Sequence, residues 1–236
     1  MRKFVNVVVV ATLFAASPAM ASIEVNPNGS ITASGDGGGT TTVNLDGYGG
    51  DPVAVVPGLT SSLLLNFVSA VNGVYTFNYA VNNSSSDGVT SRVSGFGFNT
   101  SPDTAYTSAT ASGVFGIVGT GNAPNIGNVE LCFMAGGGGN CAGGGGGGVW
   151  TGQSTGNGGT FSLVFDPSVT SITMSDVFTR YQSVSGAGSV QSAVGRQTGA
   201  VPEPGTWAMM LLGFGAIGFS MRRRRTGYQS MIPQCA

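Results

Sequence analysis

VYTFNYAV, residues Val74–Val81, decides the fold: Tyr75, Phe77, Tyr79 and Val81 fall on one side of an extended chain, and Thr76, Asn78 and Ala80 on the other. Successive side chains of a strand point to opposite faces, so this alternation marks a half-buried strand. TFSLVF at Thr160–Phe165 repeats the pattern with Phe161, Leu163 and Phe165. Working outward, further strands are expected at Thr41–Leu45, Val53–Val56, Ser62–Val68, Val89–Phe98, Gly113–Val118, Val129–Met134, Val169–Thr173 and Val177–Gln182, with turn residues between nearly all of them. No stretch between Ser22 and Ala200 sustains a helical period. About ten short strands at this spacing predict an all-β domain, an antiparallel β-sandwich or jelly roll. An elongated β-solenoid is the second choice, because no fixed repeat is present.

The chain has 236 residues and no histidine. Between Ser22 and Ala200 lie nine acidic side chains and three arginines, a net charge of −6, although the whole chain is near neutral at −1. Such a region is a poor nucleic-acid binder, because that affinity comes mostly from Lys and Arg neutralising phosphates. The basic residues gather instead at the two ends. Low charge with abundant Gly, Ser and Thr is a composition of disorder only when aromatics are scarce, and here they make up 9% of the chain. One domain at 22–185 is expected, followed by a Gly-rich and Ser-rich linker at 186–200.

The N-terminus reads as a secretory signal peptide over 1–21: Met1-Arg2-Lys3 is positive, Phe4–Ala16 apolar, and Ala19-Met20-Ala21 a small-x-small cleavage site with Ala19 and Ala21 as its small residues. Export makes a disulfide the expected state of Cys132 and Cys141, nine positions apart across a glycine-rich loop. Its stabilisation belongs at the lower end of roughly 2 to 4 kcal/mol, since the closed loop is short. A redox or metal pair is the alternative, disfavoured by the spacing and by the missing histidine.

Other candidates for chemistry are weaker. Gly136–Gly139 and Gly143–Gly148 lack the Lys and Ser/Thr of a phosphate-binding loop and read as a flexible loop. Asp36, Asp46 and Asp51 stand among glycines without a regular calcium spacing and read as turn residues, so no metal site is assigned. A serine triad needs histidine as its base, which the chain lacks. Of the carboxylates near strands, Asp166 precedes Pro167 and reads as a turn, Glu130 is expected to face solvent opposite Leu131, and Asp176 stands alone. No catalytic residue and no cofactor are assigned, and a non-enzymatic role is expected. In SDVFTRYQSV at Ser175–Val184, Tyr181 is expected to pack inward and Arg180 to meet an acidic neighbour.

The C-terminal segment carries the address. Gly205–Met221 has no charge, giving seventeen residues at the short limit of a helix crossing a hydrocarbon core of about 30 Å. Arg222, Arg223, Arg224 and Arg225 follow and act as a stop-transfer cluster that stays cytoplasmic, so the protein is expected to be single-pass with its N-terminus outside. Trp207 sits at the outer interface, while Pro202 and Pro204 keep Glu203 on a stiff extended segment. Residues 226–236, with Cys235, are then expected as a cytoplasmic tail, with a misplaced stop codon as the alternative.

Pro202-Glu203-Pro204, then Trp207-Ala208, an apolar helix and an arginine cluster resemble the PEP-CTERM sorting signal of Gram-negative bacteria over 201–225. The resemblance implies recognition by an exosortase, after export through signal peptidase, with passage from the inner membrane to the cell surface or extracellular matrix. The same short domain is also catalogued as a C-terminal domain of ice-binding proteins. Such chains usually end just after the arginines, and here 226–236 continue. GNAPNIGNVELCF at Gly121–Phe133, the loop after it and SDVFTRYQSV resemble more loosely the cistern family of PEP-CTERM proteins, to which no activity is assigned. The expected function is a structural or adhesive part of the envelope or biofilm, with exopolysaccharide as the possible partner. The alternative is a polysaccharide-binding or ice-binding module, using Trp150 or Tyr48 for stacking, or a threonine ladder for ice.

Overall fold

The computed structural model describes residues 22–197, apart from 106, 107, 138, 139 and 144, together with Phe214. The expected signal peptide with Ala19 and Ala21, the residues Pro202, Glu203, Pro204, Trp207 and Ala208, the Arg222–Arg225 cluster and the tail lie outside the described residues, as does the 205–221 span except for Phe214. Among the described residues no helix is long and apolar enough to cross a membrane.

Among the described residues thirteen strands form one sheet: β1 Ser22–Val25, β2 Ile31–Ser34, β3 Thr40–Gly49, β4 Ala54–Val71, β5 Val74–Asn83, β6 Thr90–Ser101, β7 Ala109–Gly113, β8 Ile117–Ala123, β9 Gly127–Met134, β10 Val149–Trp150, β11 Gly158–Val164, β12 Ser171–Ser185 and β13 Ala193–Gln197. The hydrogen-bonded order is β7-β11-β5-β4-β3-β13-β12-β6-β9-β8. Every strand pairing is antiparallel. Short strands extend the lanes: β2 follows β13 along β12, and β10 follows β9 along β6. The two end strands, β7 and β8, are consecutive in the chain and meet at the Val114–Gly116 turn, whose Phe115 is fully buried. The sheet is thereby curled almost into a barrel.

The all-β, antiparallel expectation holds, but the sandwich or jelly roll is corrected: one continuous ladder wraps the core, where a sandwich needs two sheets. Both architectures demand the same period-two alternation, which therefore does not separate them. Two other corrections follow from bulges. Val53–Val56, from Ala54 on, and Ser62–Val68 fall in the single strand β4; Val169–Thr173, from Ser171 on, and Val177–Gln182 fall in β12, which passes a bulge at Asp176, where φ is +51°. An extra residue bends a strand without ending it, so the turn-like residues at these places mark curvature. Gly113–Val118, expected as one strand, is instead divided by the Val114–Gly116 turn, with Gly113 ending β7 and Ile117–Val118 opening β8.

The largest correction concerns the linker. Residues 193–197 are β13, paired with β3 on one side and β12 on the other in the middle of the sheet. The domain thus runs to Gln197. Gly195 is what permits it: a Cβ there would meet Thr179 Oγ1, so the glycine lets the strand lie close over β12.

The inner faces carry the aromatic residues that the alternation placed there. Phe161 lies at the centre, its ring 4.7 Å from Phe133, 5.0 Å from Phe77 and 5.8 Å from Phe98. Two buried polar groups are satisfied inside the sheet. Asn83 donates to the carbonyls of Ser91 and Val149 and accepts from Ser85 Oγ at 2.8 Å. Tyr181 packs inward as expected and donates to Ser61 Oγ at 2.7 Å, which also meets Thr179 Oγ1.

Candidate functional site

The outside of the barrel divides into two unlike sides. On β9, β6, β12 and β13 the outer surface is clad by the chain itself. Cys132 points outward from β9 and is bonded to Cys141, with Cα atoms 5.6 Å apart, as the exported compartment led us to expect. The pair is buried with Val129, Met134, Phe178 and Val194 in a small second core outside the barrel. Above it, the described residues of the glycine-rich stretch between Met134 and Val149 are fastened by two arginines. Arg180 donates from Nε to the Ala142 carbonyl at 2.8 Å and from Nη1 to the Ala193 carbonyl at 2.7 Å. Arg92 donates to the Gly147 carbonyl and, at 2.9 Å, to Gln182 Oε1.

Two readings are corrected here. Arg180 meets backbone carbonyls where an acidic neighbour was expected; carbonyl dipoles stabilise a guanidinium on a covered face without burying a second charge. Burial also pushes its pKa below the ordinary arginine value. The glycines of the loop are required by contact more than by flexibility: at Gly148, with φ +129°, a Cβ would strike the Val93 carbonyl. Sequence alone gave no sign of which strand the loop would lie on.

Next to this cladding, a groove of about 530 Å³ is lined in part by Asn28, Ser30, Asp176, Arg196 and Gln197. The Arg196 guanidinium lies 5.6 Å from the Tyr48 ring centre, and its Nε is buried with no hydrogen-bond partner among the described residues. All three arginines of the domain therefore stand on the adjacent strands β6, β12 and β13.

The candidate carboxylates are engaged in structure. Glu130 accepts from both the amide and the hydroxyl of Thr100, while its own amide donates to Asn99 Oδ1 at 3.0 Å. Asn99 in turn donates to Asp176 at 3.0 Å, so the tertiary fold sets Glu130 and Asp176 on either side of one asparagine, a proximity the sequence did not reveal. Asp166 is the turn residue it was expected to be, accepting from the Ser168 amide and hydroxyl, which hold its carboxyl below the usual range. Of the three aspartates considered for calcium, Asp36 and Asp51 lie in a bend and a turn, but Asp46 is inside β3. Among the described residues no group of three or more His, Cys, Asp or Glu is placed to hold a metal.

The opposite side is bare. The segments Thr40–Asn44, Ser62–Val71, Val74–Asn83, Gly158–Val164 and Ala109–Gly113 contain no charged residue at all. They are neighbours in the order β3-β4-β5-β11-β7. Cross-strand register sets Thr40, Asn66, Asn78, Thr160 and Ser112 in one row on the outer surface. A second row holds Ser69, Thr76, Ser162 and Thr110. The Thr160 hydroxyl donates to Asn78 Oδ1 and Thr76 meets Ser162, both at 2.9 Å. Leu64 and Val68 protrude among them, 39% and 45% exposed. Neither expected stacking residue is here: Trp150 is exposed on β10 with Arg92 against its ring, and Tyr48 is half-buried under Arg196.

Residues 200–225 match the family model of the PEP-CTERM protein-sorting motif. No curated protein and no solved structure matches the chain.

Proposed function

We propose that this chain, which carries a PEP-CTERM sorting motif and is on that ground an exported protein sorted by an exosortase, is a structural or adhesive component of the envelope or its surrounding matrix. The sorting motif is the observation that carries the proposal, since it directs the chain to a membrane-bound processing enzyme outside the cytoplasm. Its surface destination and a biofilm setting are part of the proposal. The barrel supports a non-catalytic role: Glu130, Asp166 and Asp176 are tied into turns and cross-strand bonds. Deleting 201–236 tests the sorting step. The expected result is release of the domain into the periplasm or medium, followed by fractionation and immunoblotting; an unchanged membrane or surface location overturns it.

A polysaccharide-binding role is the second reading, favoured by the bare, uncharged side of the barrel. Ice binding has less support, because the threonines of that side alternate with Asn, Ser and Leu within and between rows. No thermal hysteresis is expected of the purified protein.

A further inference from the structure

We infer that the uncharged outer surface formed by Thr40–Asn44 of β3, Ser62–Val71 of β4, β5, β11 and β7 is a docking face for a neutral polysaccharide, in preference to an acidic one. The inference rests on the polysaccharide reading above and gives it a site and a ligand class.

The first argument is electrostatic. The region 22–200 carries nine acidic groups against three arginines, and those arginines stand on β6, β12 and β13, outside the uncharged segments; the nearest, Arg196 on β13, is paired in register with Asp46, beyond Thr40–Asn44 on β3. An acidic polymer approaching the bare side meets no cation and a net negative protein, which repels it over about a Debye length. A neutral polymer meets no such field. Nucleic acid is disfavoured on the same ground.

The second argument is hydrogen bonding. Neighbouring strands are about 4.8 Å apart, and residues on one face of a strand recur about every 6.7 Å. The rows therefore present hydroxyl and amide groups as a lattice of mixed donors and acceptors, the complement of a hydroxyl-rich chain. Two internal pairs, Thr76 with Ser162 and Thr160 with Asn78, orient part of the lattice and leave further donor and acceptor capacity toward solvent. Leu64 and Val68 supply apolar ground for the C–H faces of sugar rings. A rigid sheet loses little side-chain and no backbone freedom on binding, which favours a surface built of short side chains. Without an aromatic platform each contact is weak, and retention on a repeating polymer comes from many domains and many repeats together.

This side is left open among the described residues, whereas the other side is covered by the chain's own disulfide-closed loop. The two sides differ in charge and in cover, and only one is free for an extended partner.

The test uses the full protein in detergent, mixed with insoluble cellulose or mannan as neutral probes and with calcium-crosslinked alginate beads as the acidic one. Retention on at least one neutral probe, changed less than about twofold between 50 and 500 mM salt, is expected, with no retention on alginate. Asn66→Asp with Asn78→Asp, which keeps side-chain size and the acceptor used by Thr160, should weaken neutral-glycan binding about tenfold by placing two charges on the face. Unchanged melting of the double variant is checked alongside. Asn28→Asp, on the far groove, should leave binding unaltered. Retention on alginate equal to that on the neutral probes, binding insensitive to the double variant, or no binding to either neutral probe overturns the inference. So does concentration-dependent dimerisation that the double variant abolishes, since it would assign the face to a second copy. Localisation of the 201–236 deletion is read separately, so a failed docking face leaves the sorting result intact.

Discussion

Tyr181 is held inside the barrel by its hydroxyl, which donates to Ser61 Oγ at 2.7 Å, and burial pushes its pKa up to about 12. In the unfolded chain the phenol ionises near 10, so between pH 10 and 12 the unfolded state loses its proton first. Stability from this group is full below pH 10 and is lost as pH rises through 12. The loss is about 2 to 3 kcal/mol for a two-unit shift. Tyr181→Phe should be less stable than wild type at neutral pH by about 1 kcal/mol and should show a shallower alkaline decline, measured by denaturant unfolding from pH 9 to 12. Burial also raises Tyr75 and Tyr79, which contribute in the same direction. Asn83 gives a second test at this scale. Its side chain satisfies two buried carbonyls, so Asn83→Ala should cost about 1 to 3 kcal/mol by the same measurement. That Tyr181 faces inward was legible from the alternation of β12; that its hydroxyl finds Ser61, 120 positions away, was not.

At the scale of elements, the glycine-rich loop and β13 decide the difference between a bare barrel and this one. The loop is closed by Cys132–Cys141 and fastened by Arg92 and Arg180. Thiol labelling of the exported protein should find the pair unreactive until reductant is added. Reduction should lower stability by about 2 to 3 kcal/mol, the entropic value for a short closed loop. A larger loss would mean that the loop leaves its seat and uncovers Met134, Phe178 and Val194. The disulfide was readable from compartment and spacing. The seat was not, because a glycine carries no side chain from which burial can be inferred, and the arginines that grip the loop bond to backbone. β13 was missed for the same reason: its neighbourhood of Gly, Ser and Ala has no alternation of its own, and it becomes a strand because β3 and β12 offer it two unpaired edges.

At the scale of the whole molecule, the barrel separates charge from neutrality. Arginines and several carboxylates gather around β6, β9, β12 and β13, while β4 from Ser62, β5, β11, β7 and the Thr40–Asn44 half of β3 turn an uncharged lattice outward. Sorting and the proposed docking then fall to different parts of the chain: the signal at 200–225 serves sorting at the membrane, and the proposed face lies on the barrel. The sequence by itself determined the all-β class, the inward aromatic residues, the disulfide partners and the sorting address. Each depends on local order: a two-residue alternation, a short cysteine spacing, or a run of motif residues. Only the tertiary structure decided that one sheet curls nearly closed where two were expected, that 193–197 belong to it, and that the uncharged segments are neighbours on one side. Those outcomes depend on which edges pair across long separations, and one alternation pattern is compatible with many such pairings. Thr40 and Ser112 share a row because β4, β5 and β11 come between them in space, an order that no local pattern encodes.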